Sequence, residues 1–344
     1  MKSKERVRTA LNHKQPDKIP VNVTFVPEIA QKLRERFNIT GDVGAYLGND
    51  AVTAPGGFET SYYQDSEQYV CRYGVKWMTV HNQFGAYTEM VDHPLAGSKS
   101  KLADWNLPDY NEPSQYDALR EQVERYGKEK WVVGTITCTI FETAWALRGL
   151  EQLMMDMMED EEYTSELFDK VMEFPLHAGL KYIDLGVDMV WIGDDVAMQT
   201  GMMISPALFR KYLKPRLARI VSEYKKRNKN IKVMYHSCGN PTMVIDDLIE
   251  VGIDVLHSLQ PSAIDLASTK KQFGDRISFW GGIDIQKLMP AGTPEQIMNE
   301  VKRVIDTCGH DGGYILAPAH HIQADTPLEN IFALYEAVEK HGIF

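Results

Sequence analysis

From about residue 130 onward the chain alternates short apolar runs with amphipathic stretches, and this rhythm narrows the possible folds more than any other feature. The runs are WVVGTIT (131–137), MVWIGDD (189–195), IKVMYHS (231–237), VLHSLQ (255–260), ISFWGGID (277–284) and GYILAPAH (313–320). Between them lie segments of helical spacing, among them 165–186 and 205–227. Strands alternating with helices in this way build βαβ units and a parallel sheet. IPVNVTF (19–25) adds a strand after an amphipathic N-terminal stretch, making seven clear strands and one uncertain. That count favours a closed barrel over an open doubly wound sheet, and neither GxGxxG nor GxxxxGK[ST] is present to argue for a nucleotide-binding sheet. The expected fold is therefore α/β, a single distorted (β/α)8 TIM barrel spanning residues 1–344 and preceded by an N-terminal helical segment. Residues 67–92 alternate aromatic, β-branched and polar residues between glycine breaks, which predicts an antiparallel β excursion over about 60–110.

Composition removes several function classes. A formal net charge of -11 argues against nucleic acid as a partner, because phosphate binding needs clustered Lys and Arg. No run approaches the roughly twenty apolar residues of a membrane span. The N-terminus is charged where an export signal would be apolar, and the four cysteines, Cys71, Cys138, Cys238 and Cys308, are scattered. Reduced thiols and a cytoplasmic location are expected.

Polar residues fall late in the apolar runs, where a β/α barrel assembles its active site. His236 and Cys238 in MYHSCGN are one residue apart, and period-2 spacing on a strand turns both side chains to one face. Zn2+ takes nitrogen and sulfur ligands, with three protein ligands usual in a catalytic site. The pair by itself is equally served by a packed thiol and a capping histidine. A third ligand is offered by His320 or His321 in APAHHIQADTP, whose strand opens on the same mouth. Glu142, in TCTIFETAWALRG, is a candidate fourth ligand or general acid, against the plainer reading of a carboxylate at a helix amino end. Asp194 and Asp195 close one run, suited to helix capping or to a role in the cavity, with Asp194 a candidate to orient or protonate a leaving group and Asp195 to hold substrate. His257 and Gln260 end another run and are candidate substrate contacts. Asp50, in YLGNDAVTAPGG, sits where a turn is the default.

Four segments together, ERVRTALNHKQPDKIPV, HSCGN, FGDRISFWGGID and GGYILAPAHHIQADTPLENIFALYEAV, resemble the uroporphyrinogen decarboxylase superfamily over nearly the whole chain. The resemblance implies the same distorted barrel and two possible chemistries. The decarboxylases carry an RQAGR-type arginine motif after the first strand to grip a polycarboxylate, and none follows Val23 here. Asp50 and His320 do match their catalytic aspartate and barrel-mouth histidine. The other branch, zinc methyltransferases of corrinoid pathways, pairs HxC with a late cysteine. Here HxC is present as His236 and Cys238, while PAHHI puts His320 at the position of that cysteine.

The resemblance thus implies a His2Cys zinc site of His236, Cys238 and His320, with His321 and Asp195 nearer the substrate. One fewer thiolate leaves Zn2+ a stronger Lewis acid, better suited to polarising an ether oxygen than to activating a thiol. The expected activity is transfer of a methyl group from an O-methyl or other methylated small molecule to a corrinoid on a partner protein, forming methylcobalamin. Aromatics of the excursion, Tyr62, Tyr63, Trp77 and Phe84, are candidates to cover an apolar substrate. The alternatives are a metal-free lyase of the decarboxylase type using Asp50 and a non-catalytic tetrapyrrole- or corrinoid-binding barrel. Dimeric relatives of the fold also make a homodimer possible.

Overall fold

The computed structural model describes residues 1–55, 67–81, 83 and 85–344. Its strands in chain order are β1 (Ala51–Pro55), β2 (Gln68–Val70), β3 (Lys76–His81), β4 (Ala86–Asp92), β5 (Trp131–Thr137), β6 (Met189–Gly193), β7 (Ala197–Met198), β8 (Gly201–Met202), β9 (Lys232–His236), β10 (Val255–Leu259), β11 (Ser278–Ile283) and β12 (Tyr314–Pro318). Seven of them form one parallel sheet in the order β1-β5-β6-β9-β10-β11-β12, with no strand out of sequence. Residues 19–25 complete the barrel less regularly. Val21 and Phe25 bridge in parallel to Leu316 and Ile322 beside β12. On their other side the Asp50 N–H donates to the Val21 carbonyl at 2.8 Å. The Asn49 side chain accepts from Val23 N–H and donates to its carbonyl, both at 2.9 Å. Side chains thus replace part of a missing backbone ladder, and the barrel is distorted there.

This seam corrects the reading of Asp50. A five-residue strand starts immediately after it, so Asp50 lies at the amino end of the barrel, opposite the mouth. Its carboxylate is buried, accepts the Val21 N–H at 3.1 Å and pairs with Arg6 at 2.6 Å. It holds the N-terminal helix Ser3–Ala10 under the barrel, and it takes no part in the candidate site.

Strand parity explains what fills the interior. Trp131 and Val133 of β5, Met189 and Trp191 of β6, Met234 of β9, Val255 of β10, Trp280 of β11 and Ile315 of β12 form one buried cluster with Val7, Ala10 and Leu11. Alternate residues such as Val132, Val190, Val233 and Phe279 join the outer layer with the helices. Each such buried side chain contributes roughly 1.5–3 kcal/mol, so the barrel is a packed core with the N-terminal helix as its plug.

The expected helix over 205–227 is broken into Pro206–Leu208, a π turn at Phe209–Leu213, and Lys214–Arg227. Pro215 has no N–H to give residue 211 and its ring crowds that carbonyl, so the ladder widens just ahead of it. The antiparallel excursion is present as the β2-β3-β4 sheet. Its connection back is fastened by buried Arg148, which donates to the carbonyls of Leu95 and Gly97 at 2.6 and 2.8 Å and pairs with Asp156 at 2.7 Å. Tyr62, Tyr63 and Phe84 lie outside the described residues, and Trp77 is packed in the core.

Candidate metal centre

Parity also decides which residues reach the barrel mouth. Met234 and His236 share the inner face of β9, and Val255 and His257 share that of β10, so the two histidines meet as register neighbours. Beyond β9 the chain turns at Gly239, where φ is 79° and a Cβ would stand 2.5 Å from the Met198 carbonyl oxygen. Only glycine fits that left-handed, crowded position. The turn brings Cys238 Sγ to 3.4 Å from His236 Nε2. From β12, His320 arrives across the mouth, and the ligand atoms of His236, Cys238 and His320 all lie within 4.8 Å of one another. Tetrahedral zinc with bonds of about 2.0–2.3 Å sets its ligand atoms about 3.3–3.7 Å apart. The His236–Cys238 spacing matches this.

Carboxylates surround the three. Asp195 accepts the Cys238 N–H at 2.7 Å, and its Oδ1 is 3.4 Å from His236 Nε2. Glu142 Oε2 in turn accepts the Asp195 N–H at 3.0 Å. Burial pushes Asp195 up, but His236 and the Cys238 N–H outweigh it and hold the carboxyl at about 2. Burial and the neighbouring Asp195 and Asp194 raise Glu142 well above the usual carboxylate range. At His236 burial favours the neutral ring, yet Cys238 and Asp195 raise its proton affinity well above normal. No Lys or Arg pairs with Glu142, Asp194, Asp195 or Cys238 among the described residues. A buried group of this kind stabilises a cation, and its donor set of nitrogen and sulfur suits Zn2+.

The other imidazoles are held neutral. Burial lowers His257 well below its usual range, with His236 adding to the effect. Burial, with His321 and His236, lowers His320 to about 3; His321 falls to about 4 through burial and His236. Their lone pairs are therefore available at neutral pH. His321 Nδ1 bonds Thr24 Oγ1 at 2.8 Å, which turns it away from the cluster and onto the wall of a cavity of about 410 Å³. His236, His257, His320 and Trp191 line the same cavity.

Two further expectations are corrected. Asp194 is fully buried and accepts the N–H groups of Ile140 at 2.9 Å and Glu142 at 3.0 Å, capping helix Phe141–Arg148 from the neighbouring strand. Burial raises it to about 7 against those N–H groups, and Asp194 does not line the cavity. Gln260 accepts the Gly239 N–H at 3.0 Å and donates to Ser262 at 3.2 Å; it shapes the turn after Cys238 and does not line the cavity.

Sequence reasoning also missed participants. Trp191 packs its ring 4.5 Å from that of His257, and inward parity on β6 is the signal that could have found it. Arg34, on helix Pro27–Phe37, lines the far side of the cavity, with Nε directed to the Gly41 carbonyl at 3.4 Å. Cys138, at φ 59° after β5, has its thiol raised well above normal by burial and the adjoining Glu142. Nothing in its local sequence marks it.

A β/α barrel whose mouth gathers two histidines, a cysteine and carboxylates without a Lys or Arg partner among the described residues carries a candidate metal site. Residues 78–341 match the uroporphyrinogen decarboxylase (URO-D) family, and the chain belongs to it. The methylcobamide:CoM methyltransferase MtaA of Methanosarcina barkeri is 29% identical over 240 residues, covering 67% of this chain and 64% of that protein. The methylated-thiol–coenzyme M methyltransferase of Methanosarcina mazei is 24% identical, covering 67% and 59%. The uroporphyrinogen decarboxylase of Legionella pneumophila (strain Lens) is 25% identical, covering 72% and 70%. The matches thus span under two thirds of the length of these methyltransferases. A solved methyltransferase from Methanosarcina mazei superposes with a TM-score of 0.77 over 99% of both chains at 22% identity, and shares the fold.

Proposed function

We propose that this chain is a zinc-dependent methyltransferase that moves a methyl group from a small methylated molecule, an O-methyl compound above all, to a corrinoid carried by a separate protein. The observation that carries the reading is the convergence of His236, Cys238 and His320 from two strands on one point at the barrel mouth. Zinc held there would act as a Lewis acid on the heteroatom that bears the methyl group. Cys238 supplies the one thiolate, and His320, neutral at physiological pH, supplies nitrogen where the methyltransferase branch is expected to keep sulfur. Asp195 fixes the Cys238 backbone and adds negative charge beside His236. Glu142, whose proton affinity is raised by burial and by two neighbouring aspartates, would supply a proton to a departing oxygen. Relatives named for methylcobamide and coenzyme M methyl transfer support the corrinoid partner.

The decarboxylase alternative loses support at both of its requirements. Asp50 is locked to Arg6 at the opposite end of the barrel, and among the described residues Arg34 is the one Lys or Arg lining the cavity. Metal analysis tests the proposal. About one zinc per chain is expected, lost in His236→Ala and Cys238→Ala, followed by methylcobalamin formation on mixing the zinc protein with a methoxylated donor and reduced corrinoid protein. Protein purified without chelator that carries no zinc and takes up none would sink it.

A further inference from the structure

We infer that His257 is the positioning residue of the metal centre and that it carries a single N–H donor into the substrate cavity. The inference rests on the zinc reading above and specifies how the site is held. His257 Nδ1 lies 2.6 Å from His236 Nδ1, a hydrogen-bonding distance that requires one of the two nitrogens to hold the proton and the other to present its lone pair. Nε2 of His236 faces Cys238 Sγ and Asp195 Oδ1, both at 3.4 Å, so the lone pair that a metal needs is on Nε2 and the proton of the neutral ring is on Nδ1. His236 therefore donates and His257 Nδ1 accepts. An imidazole accepting at Nδ1 keeps its own proton at Nε2.

That second nitrogen is accounted for by the cavity. His257 is buried, its ring is held at 4.5 Å from Trp191, and it contributes to the cavity wall. Its Nε2 has no hydrogen-bond partner among the described residues. At the cavity wall that N–H is open to a ligand offering an acceptor. The ligand class that fits is a small molecule with an oxygen lone pair, an ether, carbonyl or hydroxyl oxygen, within reach of both the metal ligands and this N–H. One imidazole thereby couples the orientation of a metal ligand to the recognition of substrate.

Two isosteres separate the two roles. In His257→Asn the amide oxygen takes the position of Nδ1 and keeps the acceptor for His236. In His257→Gln an amide nitrogen takes the position of Nε2, and the acceptor is lost. Zinc affinity of the full-length protein, measured by competition with a chromophoric chelator, is expected to stay within about threefold of wild type for Asn. It is expected to fall about 10- to 100-fold for Gln and for His257→Phe, the usual loss when the partner of a metal-bound histidine is removed. Nitrogen-15 NMR of histidine-labelled, zinc-loaded wild type, which needs no variant to fold, should show His257 protonated at Nε2 and bare at Nδ1. Equal zinc affinity in all three variants, or a proton on Nδ1 of His257, overturns this inference and leaves the zinc reading standing. Wild-type protein that takes up no zinc overturns both.

Discussion

The two ends of the barrel treat buried carboxylates in opposite ways. At the amino end Asp50 meets Arg6, a permanent cation that also pairs with Asp17, and the charge is settled within the chain. At the carboxyl end Glu142, Asp194, Asp195 and the Cys238 thiol crowd together, and His236, a titratable ring, is the only basic side chain paired with any of them among the described residues. The first arrangement stabilises a fold. The second leaves room for a positive charge from outside, and it is the end where β/α barrels carry out chemistry.

The largest test of this contrast is Arg6→Ala. It strands Asp50 in the core, and breaking a buried pair from one side costs about 3–5 kcal/mol. Denaturant unfolding should show that loss while zinc stoichiometry stays at wild type. A drop in zinc content in the folded protein would mean that the two ends are not independent.

Asp195→Asn should do the reverse. The amide still accepts the Cys238 N–H, so the fold is kept, but the negative charge beside His236 is gone. Zinc affinity should fall about 10-fold or more, as for other groups that support metal ligands, with little change in the unfolding midpoint of the metal-free protein. An unchanged affinity would remove Asp195 from the site's electrostatics.

The smallest effect is one of pH. Cys238 and Asp195 raise the proton affinity of His236, and a proton on the ligating nitrogen must leave when metal binds. Zinc affinity should therefore rise with pH, by at most tenfold per unit for each proton displaced. His320 and His321, at about 3 and about 4, add no slope near neutrality. Proton release measured by calorimetry in two buffers checks the sign, and proton uptake on binding would contradict it.

Much of this site was legible in advance where a local rule sufficed. HxC at the end of an apolar run points to one face through the alternation of side chains along a strand, and His236 and Cys238 do lie 3.4 Å apart, with the turn at Gly239 completing the approach beyond the end of β9. The paired aspartates were harder. Adjacent residues point to opposite sides, so one of Asp194 and Asp195 had to face inward, but which one depends on the helix that Asp194 caps through Ile140 and Glu142, more than fifty positions away. His257 looked like a substrate contact, and its partner turned out to be a histidine on the next strand. β1 was hidden because AVTAP is too short to stand out between Asn-Asp and Pro-Gly-Gly, and with it went the knowledge of which end of the barrel Asp50 occupies.

The sequence by itself determined the barrel, through the alternation of strands and helices, and the residue types that a zinc site requires. Only the tertiary structure decided which of those residues share a site. Hydrophobic periodicity is a property of each segment, whereas the meeting of His236 with His320, the pairing of Asp50 with Arg6 and the capping by Asp194 depend on register between segments far apart in the chain.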